Sequence, residues 1–159
     1  MFLNHDIFEH CGYVYPENPT LKNTDYHFFN CGGYATESYK WYLPFENREF
    51  MDDLFCNALF NTAENIMVEN IKKDFGYECI DSDQILSLKT THQIIAFRIQ
   101  DEASFAWDFH FAKLGKNGNW YEKPGGAPYI NRHPYSWVFN HYWNGRYDGT
   151  IFFLARKRV

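Results

Sequence analysis

The sequence predicts a single α+β domain in which N-terminal helices pack on a C-terminal antiparallel sheet. Three observations carry this. Helix-like and strand-like segments are segregated along the chain; one stretch has an apolar residue at every fourth position; a later stretch alternates aromatic residues with small or polar ones. At 159 residues, with 45% hydrophobic and 21% aromatic side chains, the chain suits one domain over 1–159 with one substantial core and is too apolar for disorder.

Residues 1–29 read as a lead-in of loop and short extended pieces, punctuated by Pro16 and Pro19. The helical half follows over 30–76. A helix is expected after Cys31, because Tyr34 to Leu43 holds no breaker, and it should stop near Pro44, which disfavours helical geometry in the residue before it. A second helix is expected from about Asp52 to Asp74, where Phe55, Leu59, Ala63, Met67, Ile71 and Phe75 form one stripe; Asn61-Thr62 could divide it, and Gly76 is placed to end it.

The β half, 77–159, contains "QIIAFRIQ", "SFAWDFHFAKL", "NWYEK", "SWVFNHYW" and "TIFFLARKR", each rich in β-branched or aromatic residues and bounded by Gly, Asn, Asp or Pro. In "SFAWDFHFAKL", Phe105, Trp107, Phe109 and Phe111 fall on one face of a strand, and Asp108 and His110 on the other, beside small residues that leave room above the histidine. "GKNGN" reads as a tight hairpin with Gly118 at the positive-φ position. With Lys116, Asn117 and Gly118 as the loop, His110 faces Pro124 and Glu122 lies diagonally beside His110. A slip of one residue would bring Tyr121 and Lys123 there instead.

Candidate chemistry begins at "NCGGY". The amino end of a helix carries unpaired N–H groups and partial positive charge, which favour thiolate over thiol and can hold an oxyanion. Cys31 is placed to be a nucleophile, Gly32 and Gly33 would let substrate approach the backbone, and His110 from a facing strand would take and return the proton. The structural alternative is a buried cysteine acting as a small hydrophobe and a histidine satisfied within the fold.

On these residues the chain resembles the NlpC/P60 branch of the papain-like cysteine peptidases. Cys31 matches that motif's nucleophile, Gly33 its glycine and Tyr34 its aromatic residue, while Asn30 and Gly32 stand where Asp and Ser are usual. "DFHFAKLGKNGNWYEKPGG" is also similar to bacterial and phage proteins with an N-C-x-x-[FY]-A run, then D-[FY]-H-[FW], a turn and W-x-H-K-P-G. Trp120, Lys123, Pro124 and Gly125 fit, and Glu122 occupies the histidine position. The resemblance covers 30–43 and 105–126. It implies a papain-like fold and a cysteine-dependent hydrolase or acyltransferase acting on an amide as peptidase, amidase or deamidase. Glu122 would orient His110, with Asp108 as the alternative orienter. Papain's oxyanion glutamine lies six residues before its cysteine, where this chain has Asp25, so Asn30, Gly32 and Tyr26, with His27, are the substitutes. The other class of function is a non-catalytic protein-binding module, such as a phage-borne inhibitor of a host protein.

No cofactor and no metal are expected. Cys11, Cys31, Cys56 and Cys79 lack zinc spacing and read as free thiols; His27, Cys31, Asp108 and His110 find no further ligands in a pattern, and His5, His10, His92, His133 and His141 look scattered. The expected partner is a peptide or protein substrate. A formal charge of −5 gives no reason to expect nucleic acid, and the terminal "ARKRV" reads as a solvated strand end. No membrane partner is expected without an apolar run of about 18 residues. The start lacks a charged and then apolar leader, so the expected location is cytoplasmic, or wherever a phage or delivery system takes it. Oligomeric state is open.

Overall fold

The structure, a computed structural model, describes residues 28–44, 60–100, 108–127 and 129–159. Its elements are α1 (Cys31–Ala35), α2 (Phe60–Phe75), β1 (Glu78–Ile80), a 3₁₀ turn (Ser82–Gln84), α3 (Ile85–Leu88), β2 (His92–Ile99), β3 (Phe109–Leu114), β4 (Trp120–Glu122), β5 (Asn131–His133), a 3₁₀ helix (Tyr135–Phe139) and β6 (Phe152–Lys157). The strands form one antiparallel sheet in the order β1-β6-β2-β3-β4-β5. The described part is therefore α+β, with the helices ahead of most of the strands.

Both faces of the sheet are covered, which is why β2 is buried from Gln93 to Ile99. Alternation sends Ile95, Phe97, Ile99, Phe109 and Phe111 to one face, where they pack with Met67, Val68 and Ile71 of α2 and with Cys31 and Ala35 of α1. Ile94, Ala96, Ala112, Leu114 and Trp120 point the other way, against Trp137, Val138, Trp143 and Tyr147. Phe105 and Trp107 lie outside the described residues, as do Phe55 and Leu59 of the helical stripe. Gly76 ends α2 with φ +74° and an N–H bond to the Lys72 carbonyl.

Two expected elements differ. The helix expected from Cys31 to near Pro44 is only five residues long. Thr36 bonds back to the Gly32 carbonyl through both its N–H and its hydroxyl, and Glu37 (φ +59°) and Tyr39 (φ +53°) then turn the chain out of helical geometry. The returning segment is fastened to the helix start: Asn30 Oδ1 accepts from Tyr42 N–H at 3.0 Å, and Asn30 Nδ2 donates to the Tyr42 carbonyl at 2.6 Å. The absence of a breaker did not predict this turn, because the tertiary bonds to Asn30 outweigh local propensity. Similarly, "SWVFNHYW", expected as a strand, is a 3₁₀ helix over Tyr135–Phe139, followed by a turn in which Trp143 and Tyr147 form an isolated bridge. Its aromatic residues have the composition of a strand but serve as a cover for the second face.

Gly33 shows how tight the return is, since a Cβ there would lie 1.8 Å from the Lys40 carbonyl oxygen. Backbone atoms cannot yield as a flexible side chain does. Gly33→Ala should therefore destabilise the fold by at least about 2 kcal/mol, read as a lowered denaturant midpoint. A midpoint equal to that of the parent chain would mean that the loop does not pack on α1 in this way.

Candidate functional site

Each side chain of the site is delivered by a different element. Cys31 opens α1 behind Asn30, whose Oδ1 caps the helix by accepting from Gly33 N–H at 3.0 Å. His110 is the second residue of β3, opposite Arg98 on β2. Glu122 ends β4. The β3–β4 pairing joins Lys113 with Tyr121 and Leu114 with Trp120, and the Gly115 N–H bonds to the Asn119 carbonyl, so the hairpin has the register in which Glu122 lies on the face of His110. His110 lies beyond the paired stretch.

These groups are 4%, 2% and 0% exposed for Cys31, His110 and Glu122, so each charge must be matched inside the protein. Glu122 Oε1 accepts from His110 Nε2 at 2.6 Å and from Asn144 Nδ2 at 3.1 Å, while Oε2 accepts from His133 Nε2 at 3.1 Å. Burial works to raise the carboxyl pKa, but bonds from His110, His133 and Asn144 hold it far below the usual carboxylate range. For His110, burial opposes the charged form, yet the charge of Cys31, a hydrogen bond with Cys31 and the bond to Glu122 raise its pKa to about 10. A carboxylate only accepts, so Nε2 carries the proton in neutral His110 and Nδ1 is the nitrogen left for the thiol.

Aromatic rings hold the imidazole in place. Tyr147 stacks on His110 with centroids 4.9 Å apart, and Trp143 meets it edge-on at 6.3 Å. They occupy the room that the small residues beside His110 leave. Asp108, the alternative orienter, acts at one remove: its Oδ2 accepts from the Tyr147 hydroxyl at 2.8 Å and pairs with Arg146 at 3.4 Å. The turn carrying Trp143, Asn144 and Tyr147 is held by Arg98, whose guanidinium donates to the carbonyls of Gly149, Asn140 and His141.

The oxyanion candidates fare differently. Asn30 has its side-chain amide engaged by Gly33 and Tyr42. Gly32 fits closely under two rings, where a Cβ would stand 3.1 Å from Tyr42 and 3.2 Å from Phe111. Tyr26 and His27 lie outside the described residues.

Three residues near the site escaped sequence reasoning. His133, read as one of the scattered histidines, is bonded to Glu122 and stacked on Trp137 at 4.0 Å. Asn144, at φ +52°, comes from the turn. Lys123 is fully buried, donates to the Gly125 carbonyl at 2.8 Å and lies over the Phe29 ring at 5.2 Å. Burial pulls its pKa down to about 8, against the opposing charge of Cys31. A three-residue strand such as β5 is too short to show alternation, so no local signal marks His133. The two histidines are directed at different Glu122 oxygens, and among the described residues no three His, Cys, Asp or Glu side chains are grouped to hold a metal. Comparison with family models, with curated proteins and with solved structures returned no match.

The shifts set a pH dependence of stability. Glu122, with its folded pKa depressed, contributes stability that is present above its ordinary pKa of 4.5 and is lost as pH falls towards the folded value. His110, with its folded pKa raised, contributes stability that is full below 6.5 and is lost as pH rises through about 10. In urea titrations across pH, Glu122→Gln should lower the midpoint near neutrality and flatten the acid limb. A mutant with the full acid limb would show that other carboxylates govern it.

Proposed function

We propose that the protein is a papain-like, NlpC/P60-type cysteine hydrolase or acyltransferase acting on an amide in a peptide or protein, as peptidase, amidase or deamidase. The observation that carries this reading is the buried His110–Glu122 pair, with the charge of Cys31 among the influences that raise the pKa of the imidazole. Cys31 is the nucleophile, His110 the base and Glu122 the orienting carboxylate.

The sequence of steps follows from the bonding. His110, charged at neutral pH, already holds the thiol proton as an imidazolium that Glu122 stabilises, and Cys31 is the thiolate paired with it. The thiolate adds to the amide carbon and the carbonyl oxygen becomes an oxyanion. As the C–N bond breaks, the imidazolium gives its proton to the leaving nitrogen, leaving a thioester on Cys31. Water, or an amine in acyl transfer, adds to the thioester with His110 again as base, and the thiol is restored. Lys123 supplies positive charge beside this centre. Among the described residues Cys31 is the group whose negative charge acts on it, so the ammonium stabilises the thiolate and then the oxyanion.

A second reading, a protein-binding module without turnover, is favoured by the 4% exposure of Cys31 together with exposed Phe28 and Trp41. The two are separated by pairing Cys31→Ala capture of a host protein with turnover assays of the captured protein by the parent chain. A mass change in the captured protein supports the enzyme. Capture with no covalent change over long incubation supports the binder.

Thiol chemistry gives a sharper check. Cys31 should be alkylated by iodoacetamide near pH 6.5 faster than Cys79, and the midpoint of its rate should move upward in Lys123→Met, with partial rescue in Lys123→Arg. Mass mapping reads both. If Cys79 is modified first in the native protein while Cys31 stays intact, the nucleophile assignment fails.

A further inference from the structure

The opposite end of the sheet from His110, where β2 begins, β6 finishes and the β3–β4 hairpin turns, holds a cavity of about 890 Å³. Its wall includes Lys116, Arg156, Lys157 and Arg158, with Gln93 and one acidic side chain, Glu37, in a chain whose formal charge is −5. Positive charge is concentrated here against the overall balance. The expectation of a solvated strand end is corrected at Arg156: its guanidinium donates to Gln93 Oε1 and to the carbonyls of Phe75 and Thr36, and lies over the Tyr77 ring at 4.8 Å.

Glu37 does not balance these charges, because its carboxylate faces the buried ammonium of Lys113 at 3.7 Å. Arg158 is unlike Arg156. Its Nε is buried and has no hydrogen-bond partner, which leaves a charged donor desolvated without an acceptor. The Tyr77 hydroxyl is buried and unpartnered as well, amid the charges of Arg156, Glu37 and Arg158. Lys113 registers the crowding too: burial is the chief reason its pKa falls to about 8, and Arg158 pushes the same way against the pull of Glu37. The fold thus holds like charges together beside the cavity, and an anion in it would relieve their repulsion.

We propose that this cavity binds a small phosphate-bearing molecule, its phosphate held by Arg158, Lys116 and Lys157. The chemical class follows from the donors. Guanidinium presents N–H pairs that match two oxygens of a phosphate, and ammonium groups add charge from other directions. The volume lies within the roughly 300–1,000 Å³ of small-molecule sites and far exceeds one phosphate, so an organic remainder is expected, with Phe75 as the apolar part of the wall. The proposal stands on groups remote from Cys31 and does not depend on the reaction assigned there.

The test titrates the full chain with inorganic phosphate, pyrophosphate, citrate and chloride at constant ionic strength, following the thermal unfolding midpoint and the Nε–H resonance of Arg158. Phosphate and pyrophosphate should raise the midpoint saturably, pyrophosphate more strongly, and should shift that resonance. Arg158→Gln should weaken the effect about tenfold or more. Lys116→Gln, on the exposed hairpin, should weaken it while leaving the fold intact, so the test survives if Arg158→Gln proves unstable. An equal response to chloride, no saturable response, or a response unchanged in both variants overturns the site. Citrate binding as well as pyrophosphate overturns the phosphate class.

Discussion

The candidate site depends on one carboxylate that has no access to water. Glu122 is wholly buried and accepts from His110, His133 and Asn144, three groups brought by β3, β5 and the turn after the 3₁₀ helix. A buried negative charge is tolerated only when its oxygens are satisfied. The bonds that satisfy it also tie β3, β4, β5 and the Trp143–Tyr147 turn to one point. Loss of the charge is therefore a structural event as well as a chemical one, and the same bonds set the protonated nitrogen of His110.

Two arginines do comparable work at the two ends of the sheet. Arg98 fills the space under the site turn by bonding three backbone carbonyls, and Arg156 bonds the carbonyls of Thr36 and Phe75 together with Gln93. In each case a guanidinium satisfies carbonyls that irregular backbone leaves unpaired in a partly dry environment. Loops on both faces can thereby stay close to the sheet without being strands or helices. The consequence is placement: Trp143 and Tyr147 wall the His110 imidazole, and Asn144 donates to Glu122.

Burial of three titratable groups within one site explains the opposing directions of their shifts. Desolvation alone would make Glu122 and His110 neutral, but Cys31 and then Glu122 hold His110 in its charged form, and the bonds from His110, His133 and Asn144 hold Glu122 in its own. Lys123 lacks such a carboxylate and is lowered to about 8, with Cys31 opposing the shift. The charges of this site are thus set by neighbours within the fold.

Much of the fold was legible from the sequence alone. Alternation in "DFHFAKL" put Phe109 and Phe111 on one face and His110 on the other, and the hairpin chemistry of "GKNGN" set the register that brings Glu122 beside His110; both depend on neighbours within a few residues, where side-chain period and turn geometry are decisive. Tertiary structure alone decided the length of α1, which ends after Ala35 because Asn30 holds Tyr42 across twelve residues, and the conversion of "SWVFNHYW" from an expected strand into a covering 3₁₀ helix. It alone brought His133 and Asn144 to Glu122, since pairings between distant short segments leave no periodic trace in a chain. Local geometry is written in adjacent residues, whereas the satisfaction of a buried charge is settled only when the whole sheet closes around it.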